Sequence, residues 1–254
     1  DSEKELQREH HFAYAPRISV VVPVYKTPET FLREMVDSVL NQTYGNVELC
    51  LADGSEEDHG PQKILEAYAA QDPRIRYEKL PKNLGIAGNT NAALDLATGE
   101  YVALLDHDDF LEEHALFELV KWLQTHPEAD MIYTDEDKVS FDSATFFQPH
   151  FKPDFNPDLL RTNNYICHFL MVKRTLMEQA GKYRESFDGA QDYDLILRCS
   201  ELAQEIDHIP RVLYHWRCHP TSTAGNPESK MYAYEAGRRA LEEHLKRTSI
   251  SAAV

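Results

Sequence analysis

The chain has 254 residues, 42% of them hydrophobic and 27% charged, with a formal net charge of −17. That is length enough for one large α/β domain or two small ones, and the acidic balance argues against a nucleic-acid binder and against electrostatic docking on anionic lipid. No apolar run approaches the roughly 20 residues of a membrane-spanning helix, the polar start Asp1-Ser2-Glu3 does not read as a signal peptide, and the four cysteines (Cys50, Cys167, Cys199, Cys218) lack zinc-type spacing and read as reduced thiols of a cytoplasmic protein.

Residues 1–15 form a charged leader with at most one loose helix. Residues 17–24 (RISVVVPV) read as a buried strand, and Pro23, which removes a ladder donor, predicts that the strand ends there and turns toward a site. Thr27 is the expected N-cap of a helix whose first residue is Pro28, with Phe31, Met35, Val36 and Val39 at helical spacing. A strand over 47–52 ends in Asp53-Gly54-Ser55. A helix over 62–71, a strand over 75–80, a turn at 81–85 and a helix over 88–98 closed by Gly99 come next. The strand over 101–105 is apolar on both faces, as in the interior of a parallel sheet. A helix over 113–126 stops at Pro127, and a short strand covers 131–134. Strand and helix thus alternate about four times, which predicts a parallel sheet with helices on both faces.

The pattern then changes. Residues 135–164, with Phe141, Phe146, Phe147, Phe151 and Phe155, read as an insertion or long functional loop whose phenylalanines anchor core or loop. Strands over 166–172 and 212–216 and helices over 176–180, 192–202 and 232–246 complete the chain. One domain is expected at 16–247. The tail 248–254 carries no structural signal, and the domain could belong to a longer polypeptide.

Chemistry concentrates where strands end. Asp106-His107-Asp108-Asp109 crowds three acids at the tip of an apolar strand, against their mutual repulsion. Asp106 and Asp108 are two apart and point to one side of an extended chain, an arrangement that suits a hard divalent ion such as Mg2+ or Mn2+. The bland alternative makes Asp108 or Asp109 a helix N-cap. Asp53 is a second strand-end acid or merely a turn residue. Asp192 opens a late helix after Gly189-Ala190, as a reactive carboxylate or as an N-cap. His215 reads as a core histidine, whereas His219 lies past its strand as a possible third metal ligand.

Taken together, Val20-Val21-Val22-Pro23-Val24-Tyr25, Ser38-Val39-Leu40-Asn41-Gln42-Thr43-Tyr44, Asn83-Leu84-Gly85-Ile86-Ala87 with Asn91, Ala97-Thr98-Gly99-Glu100-Tyr101 and Leu104-Leu105-Asp106-His107-Asp108-Asp109 resemble family-2 glycosyltransferases of the GT-A fold. The resemblance covers nearly the whole chain. Tyr133-Thr134-Asp135-Glu136-Asp137-Lys138 and Phe151-Lys152-Pro153-Asp154-Phe155 resemble the branch that builds bacterial O-antigens and rhamnose-containing polysaccharides. It implies a nucleotide-sugar half (16–134) and an acceptor half (135–247). It also implies inverting transfer from a UDP- or dTDP-sugar to a saccharide or lipid-linked glycan, with Mn2+ or Mg2+ as cofactor. Location would be cytoplasmic, peripheral at the inner face of the membrane. Carried onto this sequence, Asp192 is the base and Asp106, Asp108 and His219 hold the metal. Pro23, Val24, Tyr25, Asp53, Asn83, Gly85, Asp106 and Arg217 bind the nucleotide-sugar, with Asp53 accepting from a pyrimidine N–H, and Gln191, Asn164, Tyr165 and His168 lie on the acceptor side. Two positions depart from the pattern. Thr90 stands where many members carry arginine, which passes a diphosphate role to Arg217 or Lys82, and Gln191 stands where many carry glutamate.

Three other classes compete. A non-catalytic sugar-nucleotide module of a larger synthase would keep Asp53 and Asp106/Asp108 but need no Asp192. A sugar-nucleotide pyrophosphorylase wants a glycine-rich, arginine-containing loop where this chain has Tyr25-Lys26-Thr27-Pro28, and a histidine-based metal hydrolase lacks a His-X-X-X-His pair.

Overall fold

The computed structural model describes residues 2–218 and 231–254. After α1 (Ser2–Glu9) the chain runs β1 (Ile18–Val24), α2 (Glu29–Leu40), β2 (Val47–Asp53), α3 (His59–Gln71), β3 (Ile75–Lys79), α4 (Gly85–Asp95) and β4 (Tyr101–Leu104). Next come β5 (Phe110–Leu111), α5 (Ala115–Leu123), β6 (Met131–Val139), β7 (Phe146–His150), α6 (Pro157–Leu160) and β8 (Leu170–Lys173). The last elements are α7 (Arg174–Ala180), a single 3-10 turn (Glu185–Phe187), α8 (Gln191–Ser200), β9 (Ile206–Arg217) and α9 (Met231–Arg247).

One mixed sheet has the order β3-β2-β1-β4-β8-β6-β9-β5, with β7 on the outer half of β6. Strands β3, β2, β1 and β4 are parallel, as the alternation predicts. β8 enters antiparallel between β4 and β6, and β6 and β9 are again parallel. The run of valines in β1 is explained by burial on both faces. Val20, Val22 and Val24 pack in one apolar cluster with α2, α3 and α5, while the intervening Val21 joins Cys50, Ala52 and Val102 under α4, α7 and α8. β1 feeds β2 and β3 on one side and has β4 on the other. A crevice therefore opens between the C-terminal ends of β1 and β4, the place where open α/β sheets hold ligands.

Several expectations shift. β1 continues through Pro23 to Val24. The Val21 carbonyl accepts from Leu105 on the β4 side, so the donor Pro23 lacks would face the same edge, where pairing with β4 has ended. Thr27 does not cap α2. The cap position is Pro28, and the Thr27 hydroxyl instead meets His107 Nδ1 at 2.9 Å. α4 starts at Gly85, three residues earlier than its apolar pattern suggests. Neither Asp108 nor Asp109 caps α5, whose cap position is His114.

Residues 135–164 are no structureless insertion. They extend β6, turn back as β7 and add α6. Alternation failed as a guide because β6 has neighbours on both edges and carries buried acids, Asp135 and Glu136. Phe141, Phe146 and Phe151 are exposed rather than core.

Candidate active site

A cleft lies at the β1/β4 crevice, walled by Pro23, Thr90, Asp106, His168, Tyr183 and Asp192 among others. Asp106 arrives on the loop after β4 and Asp192 on the first turn of α8. Asp192 Oδ1 accepts from the Tyr183 hydroxyl at 3.0 Å, and Oδ2 accepts from Gln191 Nε2 at 2.8 Å. Burial, then the charge of Asp106, pushes the Asp192 carboxyl up to about 6. A helix start favours an ionised acid, and here burial with a like charge outweighs it. The cap position of α8 is Ala190, with no side-chain bond to the helix.

Two acids flank Asp192 in the sequence, Asp188 and Asp194, and both are engaged elsewhere. Asp194 is fully buried between Arg184 and Arg198, with Arg198 Nη2 at 2.8 Å. Asp188 reaches the start of α4, where Oδ1 accepts from the Ala87 N–H at 3.3 Å. A glycine just before Asp192 could let the backbone approach a ligand, but Gly189 serves another purpose. Its φ is +93°, and a Cβ there would sit 2.5 Å from the Tyr232 ring of α9, so the space serves helix packing.

His168 stands between two carboxylates. Nε2 is 3.5 Å from Asp106 Oδ2, Nδ1 is 3.5 Å from Glu136 Oε2, and the ring stacks on Tyr214 at 4.9 Å. Burial alone would lower its pKa, but Cys167, Asp106 and Glu136 outweigh burial and raise it well above the ordinary value. Lys152, buried, donates to the carbonyls of Ile166 and His168 and fixes this segment.

The third acid of the strand-end cluster has a different role. Asp109 is buried, its Oδ1 accepting from the Arg217 N–H at 2.7 Å and its Oδ2 from the Tyr214 hydroxyl at 2.5 Å. Burial, then Asp108 and Asp106, raises its pKa well above the carboxylate norm. Arg217 is itself fully buried. Its Nε donates to the Asp108 carbonyl at 2.7 Å, Nη1 to Ser143 Oγ at 2.6 Å, and Nη2 to Glu34 at 2.5 Å, with the guanidinium 4.3 Å from the Phe31 ring. The expected phosphate contact from Arg217 is therefore corrected, because these N–H groups are spent on holding the acid loop. Lys82 is exposed on the turn before α4.

Asp53 is likewise deeper than expected. Its carboxylate is fully buried, accepting from the Ser55 N–H at 2.8 Å and from Tyr77 and Lys79 at 3.1 Å each. The Ser55 hydroxyl in turn accepts from the Lys26 N–H at 2.8 Å. In this arrangement Asp53 props the backbone after β1 and does not present itself to a base. Val24 is buried and Tyr25 partly exposed. Asn83 Oδ1 accepts from the N–H of Gly85 and from Asn89 Nδ2, shaping the turn, and Gly85 takes φ +76°. On the acceptor side, Gln191 and His168 line the cleft, while Asn164 does not. Tyr165 is buried and its hydroxyl accepts from the Asn156 N–H, so it packs beside β6. His215 is a buried histidine, as expected, held by Asp137 at 2.6 Å and Glu112 at 3.2 Å.

Residues 19–181 match the family model described as glycosyl transferase family 2. The chain belongs to glycosyl transferase family 2. Among its relatives is the O-antigen biosynthesis protein RfbC of Myxococcus xanthus, 40% identical over 239 residues, which covers 94% of this chain and 19% of RfbC. The chain spans about a fifth of the length of RfbC and about a quarter of that of a Sinorhizobium fredii relative 50% identical to it. Two solved glycosyltransferases share the architecture. S. aureus TarS in complex with UDP-GlcNAc has a TM-score of 0.73 at 20% identity, covering 90% of this chain and 66% of that one. Mannosyltransferase PcManGT from Pyrobaculum calidifontis, in complex with GDP-Man and Mn2+, has a TM-score of 0.64 at 18% identity, covering 99% and 71%. The fold of this family-2 chain is GT-A.

No described helix is long and apolar enough to cross a membrane. Among the described residues no group of three His, Cys, Asp or Glu could hold a metal ion, and His219, the expected third ligand, lies outside them. The donor set nevertheless fits a hard cation. Asp106 and Asp108 supply carboxylate oxygens, and their charge already raises Asp109, as that of Asp106 raises Asp192.

Tyr183 and Glu136 were missed as site-shaping residues. Asn91 offered a signal, since it belongs to the family pattern. Its side chain holds both backbone groups of Tyr183, at 2.8 and 2.9 Å.

Proposed function

We propose that this domain is a metal-assisted, inverting glycosyltransferase. It moves a sugar from a UDP- or dTDP-linked donor to a hydroxyl of a growing cell-surface polysaccharide or lipid-linked glycan. The supporting observation is one cleft lined by two carboxylates of different origin, Asp106 from the end of β4 and Asp192 from the start of α8. Asp106 and Asp108, joined by His219, would hold Mn2+ or Mg2+. Such an ion, when bound, neutralises charge growing on a diphosphate leaving group.

Asp192 takes the acceptor proton. At pH 7 a carboxyl titrating near 6 is mostly ionised. It is competent because the hydroxyl becomes acidic only as its bond to the anomeric carbon forms, so the proton moves late. Tyr183 and Gln191 orient the carboxylate. The backbone at Pro23–Tyr25, propped by Asp53 through Ser55, lies where the nucleotide would enter. Residues 16–134 supply the donor side and 135–247 the acceptor side, on the cytoplasmic side of a membrane whose lipid-linked glycan is the substrate. The O-antigen relative supports that class of acceptor.

The test is nucleotide release from UDP-, dTDP- and GDP-sugars, each with Mn2+ and with Mg2+. Release from a pyrimidine-linked donor, abolished by EDTA, is expected. Nucleotide binding by calorimetry without release from any donor, with or without saccharide, would instead leave a binding module.

A further inference from the structure

A second, open cavity lies beyond His168 between β6, β7 and β9, lined by Glu136, Asp137, Lys138, Gln148, His150 and Trp216. It is built from side chains of three hydrogen-bonded strands. The β6/β7 register slips between Glu136 and Lys138, an irregularity that re-aims side chains and is frequent beside active sites. Gln148 holds φ +48°, a conformation an L-residue adopts only under constraint. Lys138 Nζ donates to Gln148 Oε1 at 2.9 Å and lies 5.6 Å from the Trp216 ring, and His150 Nδ1 is 3.3 Å from Glu136 Oε1.

The cavity is coupled to the cleft by shared groups. Glu136 lines the cavity and contacts His168, which lines the cleft and contacts Asp106. The Trp216 ring is 5.7 Å from that of His168.

We infer that this cavity is an acceptor subsite, which takes a neutral sugar of the acceptor chain other than the one being glycosylated. An indole offers a flat apolar face to the C–H face of a pyranose. Around it stand carboxylate acceptors, an amide that both donates and accepts, an imidazole and an ammonium donor, which together match a ring of hydroxyls. Glu136 is paired with His150 and Lys152 and Asp137 with His215, so the lining, with the Lys138 ammonium, offers neither sign in the excess that a phosphate or a uronic acid would select. The inference rests on the glycosyltransferase reading and extends it to substrate choice.

The probes are the p-nitrophenyl glycosides of glucose, galactose, N-acetylglucosamine and rhamnose, titrated against the intact domain by saturation-transfer NMR. Trp216→Phe keeps an aromatic ring in the packing, and Gln148→Gly removes the amide while suiting the positive φ. At least one glycoside should bind the native protein, with affinity falling tenfold or more in both variants. Donor hydrolysis in the absence of acceptor should stay within twofold of native. Absence of binding by all four glycosides, or binding unchanged in both variants, overturns the subsite. If donor hydrolysis is missing while glycosides bind through Trp216, the transferase reading fails and with it the acceptor role, leaving a sugar-binding site on a non-catalytic module. If hydrolysis proceeds and no glycoside binds, the transferase reading stands and the subsite fails.

Discussion

Replacing Asp192 with asparagine should stabilise the fold while abolishing transfer. In the folded chain, burial and Asp106 hold this carboxyl near 6 rather than at its ordinary 3.8. That difference corresponds to about 3 kcal/mol against the charged form at pH 7, an upper bound because the side chain is only half-buried. Asparagine removes that cost and can still accept from Tyr183. It loses the bond from Gln191, about 1 kcal/mol, and the favourable charge at a helix N-terminus, about 0.3–1 kcal/mol. The balance is a gain of roughly 1 kcal/mol, or about 2–4 °C in Tm for a chain of this size. The sign follows from linkage. An acid whose folded pKa is raised is neutral in both states below the unfolded value near 3.9, and its destabilisation is complete only above about 6. The stability advantage of the variant should therefore shrink as pH falls from 6 toward 4. Thermal melts at several pH values, run beside a transfer assay, test both halves. Transfer should drop a hundredfold or more with donor binding intact. A variant with lower Tm at pH 7 and near-native turnover would refute the reasoning and make Asp192 a helix-start residue.

The same carboxyl should give kcat/KM an acid limb near pH 6, and that limb should move to lower pH as Mn2+ is raised, because the cation offsets Asp106; a limb indifferent to metal argues against this placement. Asp108→Asn should cost two or more powers of ten in transfer and abolish the response to added metal, with an unchanged circular dichroism spectrum. Arg217→Ala should destabilise by about 3–5 kcal/mol in urea titration, since it strands buried partners; a loss below about 1 kcal/mol would show the clasp on the acid loop to be dispensable. In calorimetry, UDP or dTDP with metal should bind more tightly than GDP. Asp53→Asn should weaken that binding less than Asp53→Ala, because the amide oxygen can still accept from Ser55.

The parallel half was legible because its strands are buried on both faces. Val20–Val22 and Leu49–Leu51 are uniformly apolar, and the helices between them show clean periodicity. The C-terminal half was not, because β6 carries Thr134, Asp135 and Glu136 into the interior, each paired to a partner far along the chain. Asp135 meets His208 at 2.8 Å, a contact no local pattern announces. Acids at strand ends pointed to the crevice end of the sheet but not to each acid's surroundings there. Asp106 and Asp192 line one cleft, whereas Asp53, Asp109 and Arg217 are turned inward as supports. Burial separates these cases, and burial depends on neighbours the sequence does not display. Thr98-Gly99, part of the family resemblance, proves to lie at the opposite end of the sheet. There the two N–H groups meet buried Glu48 at 2.6 and 3.1 Å, and a Cβ on Gly99 would collide with the Arg17 carbonyl.

The bond between Asp109 and the Arg217 backbone joins positions 108 residues apart. Such a contact forms late, because a long loop must close before it yields anything. The parallel strands β1 to β4 need only neighbours already present in the first hundred or so residues. During synthesis the N-terminal parallel sheet can therefore assemble while the acid loop is still unshaped, and the loop acquires its geometry only when β9 docks. A ribosome-bound chain halted before β9 should show hydrogen-exchange protection in β1 and β2 but not at the Asp109 N–H. Early protection there would mean that the loop is shaped without its distant anchor. The delay would keep the cleft unfinished until the C-terminal strands are in place.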